Sequence, residues 1–158
     1  MVTQPDLDAV SELVAPLVGK EARNVRLGIG NFVTLEFGRQ LAPNKFGRSY
    51  GEWYLWLCGC EWRIDRQDQI VIAGEDSRER LKTAVQELEG RKMQSVSLSS
   101  PAIDATFEFE GGLYLRLFAV DTTEIESWKL FTPEDKVLVV GPGSKWYYAR
   151  SDIPQDER

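Results

Sequence analysis

The sequence predicts an α+β fold made mostly of antiparallel β-strands with two helices. Most of the chain alternates apolar and polar residues with a period of two, the spacing of a half-buried strand. Two segments instead space their apolar residues three and four apart, which is the pattern of one helix face. Connections between the strand segments are short, and this favours antiparallel neighbours, because parallel strands need a long crossover. We therefore expect a single domain over residues 1–158.

The first helix is predicted to begin after Thr3 and to end before Gly19, because threonine caps helix N-termini and glycine commonly follows their C-termini. Pro5 suits the first turn, whereas Pro16 is expected to distort the last turn, since proline lacks the N–H that continues a helix. The apolar face of this helix is formed by Leu7, Val10, Leu13, Val14 and Leu17.

The second helix is predicted to begin after Asp76 or Ser77, which are both good capping residues, and to end before Gly90. Glu79 lies in its first turn, where a negative charge is favourable. Its apolar face is formed by Leu81, Ala84, Val85 and Leu88.

Short strands are predicted along the rest of the chain. Between the helices they cover residues 25–27, 32–37, 53–57, 62–64 and 70–72. After the second helix they cover residues 96–98, 105–109, 113–117, 128–130 and 137–139, and a closing strand is expected around Trp146, Tyr147 and Tyr148.

The two helix-plus-strands segments resemble each other, which indicates an internal repeat. LVGKEARNVRL (residues 17–27) matches LEGRKMQSVSL (residues 88–98), TLEF matches TFEF, and YLWL matches YLRL. Trp62 and Trp128 each begin a W-x-[IL] segment that leads to G-x-x-S. A chance alignment of alternating strands is the alternative, but the matched order of these segments argues against it. We predict two pseudosymmetric repeats, about 5–74 and 76–149, packed together, with a frayed tail at 150–158.

Composition excludes several classes of function. The chain has no histidine, so it lacks the usual general base near neutral pH and every Ser-His-Asp or Cys-His arrangement. Its net charge of −6 repels phosphate backbones and anionic membranes but attracts a basic protein. The first residues show no signal-peptide pattern, and no apolar run is long enough to cross a bilayer. We expect a cytoplasmic protein that binds neither nucleic acid nor membrane.

Cys58 and Cys60, the only cysteines, are too close in sequence to form a useful structural disulfide. A zinc site needs four ligands, and without histidine the chain offers only these two thiols and scattered carboxylates. We therefore expect free, buried thiols and predict neither a metal nor a cofactor.

The loop at residues 38–51, GRQLAPNKFGRSYG, is the largest departure from the repeat. Arg39, Lys45 and Arg48 make it basic, and Phe46 and Tyr50 add aromatic rings. Loops of this length in compact domains are often functional, so these residues are candidates for binding an anionic ligand or an acidic patch of a partner. The alternative is a solvated, mobile extension of a hairpin.

The strand segment WYLWL, residues 53–57, is apolar on both of its faces. A central strand that is buried on both sides explains this pattern, and so does an aromatic face that is exposed for a partner. Trp53 and Trp56 are therefore candidate binding residues, because tryptophan is enriched in interface hot spots.

Glu36 and Glu108 occupy the same position in the repeated T-x-E-F strands. If the repeats meet in a cleft, the two carboxylates could lie close enough to act as a glycosidase pair or to bind a hard cation. The alternative is that both side chains face water on strands whose other face is core.

The segments GEWYLW, CEWRI, IAGEDS and VLVVGPGSKWYY resemble those of a family of small uncharacterised bacterial proteins, a domain of unknown function. The similarity covers most of the chain. The resemblance implies a role as an immunity or accessory partner beside bacterial toxin systems, and it supplies no catalytic residues.

Three functions remain open at this point. The first is a non-catalytic protein-binding domain, immunity-like or accessory, that neutralises a basic partner by covering it. The second is a carboxylate-based enzyme or small-ligand binder that uses Glu36 and Glu108 in a cleft between the repeats. The third is a structural homodimer in which the sheets of two chains pair or stack.

Overall fold

A computed structural model describes all residues, 1–158, and confirms the α+β class. The helices are α1 (Gln4–Val14) and α2 (Arg78–Val85), and each runs directly into a short 3-10 turn. Pro16 lies in the first of these turns, where the α-helical pattern stops. None of the helices has the length and apolar character needed to cross a membrane.

Both helices begin at capping residues. The Thr3 side chain accepts a hydrogen bond from the Asp6 N–H, and the Asp6 carboxylate accepts one from the Thr3 N–H at 2.8 Å, which makes a reciprocal capping box. At α2 the cap is Ser77, whose hydroxyl accepts a hydrogen bond from the Arg80 N–H, so the alternative Asp76 is not the cap.

Every predicted strand is present, and several are longer than the sequence pattern indicates. Those between the helices are β1 (Arg23–Leu27), β2 (Val33–Gln40), β3 (Gly51–Leu57), β4 (Cys60–Arg66) and β5 (Gln69–Ala73). Those after α2 are β6 (Met93–Ser99), β7 (Asp104–Phe109), β8 (Leu113–Ala119), β9 (Trp128–Thr132), β10 (Lys136–Val140) and β11 (Trp146–Arg150).

The strands form two antiparallel sheets that exchange strands between the halves of the chain. The first sheet has the order β1-β2-β3-β9-β10-β11, and the second has the order β5-β4-β8-β7-β6. If β1 to β5 are matched in order with β6 to β10, each sheet combines three strands of one half with two of the other, and β11 adds a sixth strand at the edge of the first sheet. The helices are exchanged as well, because α1 packs against β6 and α2 packs against β1.

The segments that follow the helices pair with each other at the centre of this arrangement. The Gly19 N–H donates to the Met93 carbonyl and the Gly90 N–H donates to the Ala22 carbonyl, both at 2.7 Å. Two further hydrogen bonds of 2.9 Å join Met93 to Lys20 and Ala22 to Arg91. In the alignment of residues 17–27 with 88–98, Gly19 corresponds to Gly90 and Ala22 corresponds to Met93. Each of these bonds therefore corresponds to the other bond of the same length. That the chain is a duplicated sequence stays a prediction, and the topology supports it.

The inward faces of the sheets and the apolar faces of the helices share one cluster of 30 buried residues. Trp62 and Trp128 lie in this cluster, and each donates its indole N–H to a backbone carbonyl. The acceptors are the carbonyls of Asn31, at 2.7 Å, and Ile103, at 2.9 Å. The Trp62 bond joins β4 of the second sheet to the loop before β2 of the first sheet. The Trp128 bond joins β9 of the first sheet to the loop before β7 of the second sheet. The two bonds therefore tie the sheets together.

The hairpin between β2 and β3 is longer than its counterpart between β7 and β8 because β2 extends to Gln40 and residues 41–50 form an exposed loop. Gly51 closes this loop at a point of close backbone approach, where an added Cβ would lie 2.7 Å from the Phe37 carbonyl oxygen. The last residues, predicted as a frayed tail, form a 3-10 turn at Gln155–Glu157, and the Gln155 side chain donates to the Glu126 carboxylate.

Candidate functional site

The outward faces of the two sheets have the same layout and different chemistry. In the first sheet one cross-strand row contains Thr34, Trp56 and Lys129, and the next contains Glu36, Tyr54 and Phe131. The matching rows of the second sheet contain Thr106, Arg116 and Arg63, followed by Glu108, Tyr114 and Asp65. The two faces differ at two of these positions, where Trp56 and Phe131 of the first face match Arg116 and Asp65 of the second.

Four aromatic rings cover the outward face of the first sheet. Trp56 packs edge-on against Phe131 with 4.9 Å between ring centroids, and against Tyr54 at 5.6 Å. Tyr50, at the end of the loop, extends the row by an edge contact of 4.9 Å with Tyr54. All four side chains are only partly buried. Of the two explanations for the WYLWL pattern, a partly exposed aromatic face describes the outward side of β3.

A groove of about 400 Å³ runs along these rings, and we call it the aromatic groove. Tyr50, Tyr54, Trp56 and Phe131 line it together with Leu41. Its only charged lining residues are Glu52 and Asp135, so the groove combines an aromatic wall with two carboxylates. Such a site suits a cationic side chain, because a cation is attracted both to aromatic faces and to carboxylates.

Trp56 carries the one buried side-chain polar atom of the chain that has no hydrogen-bond partner, its indole Nε1. An unpaired buried donor costs free energy. Beside it, burial is the main reason that the pKa of the Tyr54 phenol lies above its usual value, and the nearby Glu36 charge adds to the effect. Tyr54 is therefore a neutral hydroxyl at physiological pH.

Of the predicted basic residues, Arg39 lies at the end of β2 and Lys45 and Arg48 lie in the loop, and none of them lines the groove. Arg39 has an exposed side chain, its backbone N–H donates to Glu52 at 2.7 Å, and its guanidinium is 3.9 Å from the same carboxylate. Phe46 is 75% exposed, and the Lys45 ammonium lies 5.1 Å from its ring centroid. The tip of the loop has a defined shape, because the Asn44 carboxamide oxygen accepts hydrogen bonds from two N–H groups of the loop.

Trp53 belongs to a different environment from the other predicted aromatic residues. It lies on the same inward side of β3 as Leu55, where it is partly buried and packs against the core. The Lys20 ammonium lies 4.6 Å from its ring centroid. The structure thus brings Tyr50 and Trp56 together on one face, and places Trp53 on the other.

Glu36 and Glu108 are not brought together. They lie on the outward faces of different sheets, because the residues that flank each of them in sequence point into the core. Glu36 is buried and accepts a hydrogen bond from the Gly51 N–H at 2.8 Å. Glu108 accepts from the Ser95 hydroxyl at 2.8 Å and from Tyr114 at 3.4 Å. Each carboxylate is held by its own hairpin, so the paired-carboxylate chemistry has no geometry to support it.

A second, more polar cavity adjoins the aromatic groove at Tyr50 and Tyr54. It has a volume of about 490 Å³ and also contains Arg26, Glu36 and Arg48. The two arginines face the buried Glu36 carboxylate across this cavity, which offsets part of their charge. Arg48, predicted from the loop, therefore lies beside the groove as part of its border.

The second sheet contains a cluster of charged residues that sequence reasoning did not identify. Asp65 has a side chain that is only 8% exposed, and its carboxylate accepts hydrogen bonds from Arg63 Nε at 3.0 Å and from Arg116 Nε at 2.6 Å. Arg116 also lies over the Tyr114 ring, 5.0 Å from its centroid. The comparison of YLWL with YLRL was the available signal, because it aligns Arg116 with Trp56.

Both cysteines are free, as predicted, and Cys60 is buried whereas Cys58 is partly buried. Burial raises the pKa of the Cys60 thiol to about 12 and also raises that of Cys58. No group of three or more cysteine, aspartate and glutamate side chains is arranged to hold a metal ion.

Comparison with known protein families, with curated proteins and with solved structures finds no match to this chain. The resemblance to a family of small bacterial proteins therefore stays a prediction.

Proposed function

We propose that this chain is a non-catalytic protein-binding domain that holds a basic partner through the aromatic groove of the first sheet. The observation that carries the proposal is the composition of the groove. Partly exposed rings line it, and its only charges are the carboxylates of Glu52 and Asp135. An arginine side chain of the partner fits this combination, because its planar guanidinium stacks on aromatic faces and binds carboxylates with directed hydrogen bonds.

The charge of the whole chain supports a basic partner. The net charge is −6, so a cationic surface is drawn towards the protein over distances longer than the groove itself. The aromatic residues then supply the contact area, because tryptophan, tyrosine and arginine dominate the binding energy of most interfaces. Arg39 lies 3.9 Å from Glu52 and Arg48 lines the adjoining cavity, so both border the groove and disfavour further positive charge immediately beside the bound arginine.

The cellular role that follows is the neutralisation of this partner by covering its basic surface, as an immunity-like or accessory protein does. The same charge that attracts a basic protein disfavours nucleic acid and anionic membranes. The binding residues are Tyr50, Tyr54, Trp56 and Phe131 in the groove, with the loop at residues 41–50 at its border.

The proposal is tested by following the indole N–H signals of the five tryptophans in a ¹⁵N-labelled sample. The signal of Trp56 is assigned with the Trp56→Phe variant. The probe is acetyl-Gly-Arg-Gly-Arg-Gly-amide, a peptide whose two termini carry no charge. In the control peptide both arginines are replaced by citrulline, which has the same shape without the charge.

We expect the arginine peptide to shift the Trp56 signal in a saturable way and the citrulline peptide to leave it in place. The Trp128 signal should not move, because that indole is fully buried on the other side of the first sheet. An unchanged Trp56 signal with the arginine peptide, or an equal shift with the citrulline peptide, would overturn the proposal.

A further inference from the structure

The outward face of the second sheet contains a cavity with a volume of about 620 Å³. Its charged lining residues are Arg63, Arg116, Glu61, Glu75 and Asp104, and Thr106 and Phe118 also line it. The cavity is in the range of volumes that small-molecule sites have. It lies on a different sheet from the aromatic groove and shares no residue with it.

The two guanidiniums in this cavity are held in fixed orientations. Each donates its Nε–H to the same buried carboxylate, that of Asp65. Their terminal nitrogens have almost no protein partner: Arg116 makes one long contact of 3.5 Å with the Thr106 hydroxyl, and those of Arg63 make none. Because two positive charges share one negative charge, a net positive charge with free hydrogen-bond donors remains at the cavity surface. A carboxylate is the group that this geometry binds best.

The opposite charge lies one row further along the same strands. Glu61 on β4 and Asp104 on β7 flank the side of the cavity away from Asp65. Glu61 makes no hydrogen bond or ion pair, and Asp104 uses one carboxylate oxygen, Oδ1, to accept from the Ala119 N–H. Two residues along a strand correspond to about 7 Å. The positive row and the negative row of the cavity are therefore attached to the strands at positions about 7 Å apart.

Phe118 lies beside the acidic row and supplies an apolar surface. It is directly opposite Glu61 in the strand register, and it is 65% exposed. A multiply charged anion such as phosphate is disfavoured here, because Glu61 and Asp104 repel it. A molecule with one carboxylate and one ammonium about 7 Å apart matches both rows, and an extended dipeptide has about this length.

We propose that this cavity is a binding site for a zwitterionic ligand of dipeptide size. The ligand's carboxylate is bound by the terminal nitrogens of Arg63 and Arg116, and its ammonium is bound by Glu61 and Asp104. Asp65 is a positioning residue that orients the two guanidiniums. The site is independent of the aromatic groove, so the chain has two differentiated sites on matching faces of its two sheets.

Isothermal titration calorimetry with L-alanyl-L-leucine tests the proposal. Three further probes isolate each charge: the C-terminal amide of the same dipeptide, its N-acetyl form, and inorganic phosphate. We expect saturable binding of the dipeptide alone, with weakening by about tenfold or more for the amide and for the N-acetyl form, because each loses a charged hydrogen-bonding group.

Variants locate the binding. Arg63→Gln and Glu61→Gln are each expected to weaken dipeptide binding by about tenfold, the usual size of the loss when one charge-assisted hydrogen bond is removed. Lys129→Gln is the matched control, because Lys129 occupies the position of Arg63 in the first sheet. It should bind the dipeptide like the unmodified protein. Circular dichroism melting checks that each variant is folded. If Arg63→Gln is not folded, Arg63→Lys, which keeps the charge, takes its place.

Several results would overturn the proposal. The proposal would be overturned if the dipeptide showed no saturable binding at millimolar concentration. It would also be overturned if Lys129→Gln weakened dipeptide binding as much as Arg63→Gln does. Equal or tighter binding of the N-acetyl form, or of phosphate, would show a simple anion site and contradict the zwitterionic ligand.

Discussion

Replacement of Asp65 by alanine should destabilise the protein, because Asp65 is the buried centre of a charged cluster. The substitution removes hydrogen bonds of 3.0 Å to Arg63 and 2.6 Å to Arg116. Hydrogen bonds to charged groups contribute about 1.5–3 kcal/mol each, so two of them in a dry interior would total about 3–6 kcal/mol.

The expected loss is smaller than that total, because the two guanidiniums are partly in water. Their side chains are 49% and 39% exposed, and exposed ion pairs contribute about 1 kcal/mol or less. Removing the carboxylate also relieves the cost of burying it. We expect Asp65→Ala to lower the free energy of unfolding by about 2 kcal/mol, and Asp65→Asn, which keeps a hydrogen-bond acceptor, to lower it by less.

Urea unfolding followed by circular dichroism measures this loss, and a double-mutant cycle with Arg116→Ala isolates the pair. The coupling between Asp65 and Arg116 should be about 1 kcal/mol or more, since they share the shortest bond of the cluster. A loss below about 0.5 kcal/mol for Asp65→Ala, the range of an ordinary surface substitution, would refute this reasoning.

Three further predictions concern the two tryptophans of the core, one carboxylate and the thiols. Trp62→Phe and Trp128→Phe each lose a buried indole hydrogen bond and side-chain volume. Each should therefore destabilise the protein by about 2 kcal/mol or more in urea unfolding. A near-neutral effect of either substitution would show that its hydrogen bond does not tie the sheets together. The Asp121 carboxylate accepts three backbone N–H bonds of 2.7–3.0 Å that hold its pKa below the usual 3.8, so its contribution to stability is present above that pH and is lost as the pH falls towards the lowered pKa. The melting temperature of Asp121→Asn should therefore fall less between pH 5 and pH 2.5 than that of the unmodified protein, and parallel curves would contradict this. Cys60, whose pKa is raised to about 12, should resist iodoacetamide at pH 8 until the protein is unfolded, and rapid modification of the native protein in a mass-spectrometric time course would argue against its burial.

Local sequence signals were sufficient to predict the helices and strands. The capping box at Thr3 and the 3-10 turn at Pro16 follow from chemistry within one or two turns of the chain. The choice between Asp76 and Ser77 could not be made in this way, because both residue types cap helices equally well and the orientation of the side chain decides.

The exchange of strands between the sheets could not be predicted from local patterns. It depends on which strands pair across long sequence separations. The hydrogen bond between Asp65 and Arg116, for example, joins residues that are 51 positions apart. The cluster that these residues form with Arg63 was missed for this reason. Each of the three looks like an ordinary polar residue on the solvent side of its own strand.

The alternating pattern of apolar and polar residues also did not predict the burial of Glu36. A polar residue between Leu35 and Phe37 is expected to face water. It does lie on the outward face, but the long hairpin covers it and the Gly51 N–H supplies a partner for its carboxylate. The extension of this hairpin, visible in the sequence only as a basic loop, therefore shapes the border of the aromatic groove.

If the aromatic groove recognises a cationic side chain, it does so through its own two carboxylates, Glu52 and Asp135. The most direct test compares two variants that have the same net charge. One carries Glu52→Gln and Asp135→Asn, which neutralise the groove. The other carries Glu12→Gln and Asp68→Asn, which neutralise two exposed carboxylates outside it.

Both variants are titrated by calorimetry with acetyl-Gly-Arg-Gly-Arg-Gly-amide at physiological ionic strength. The groove variant should bind this peptide about tenfold or more weakly than the unmodified protein, because charge-assisted hydrogen bonds to the guanidinium are lost. The control variant should bind within about twofold of it, because distant surface charges are largely screened. Equal weakening of the two variants would show attraction by net charge alone and would contradict recognition by the groove.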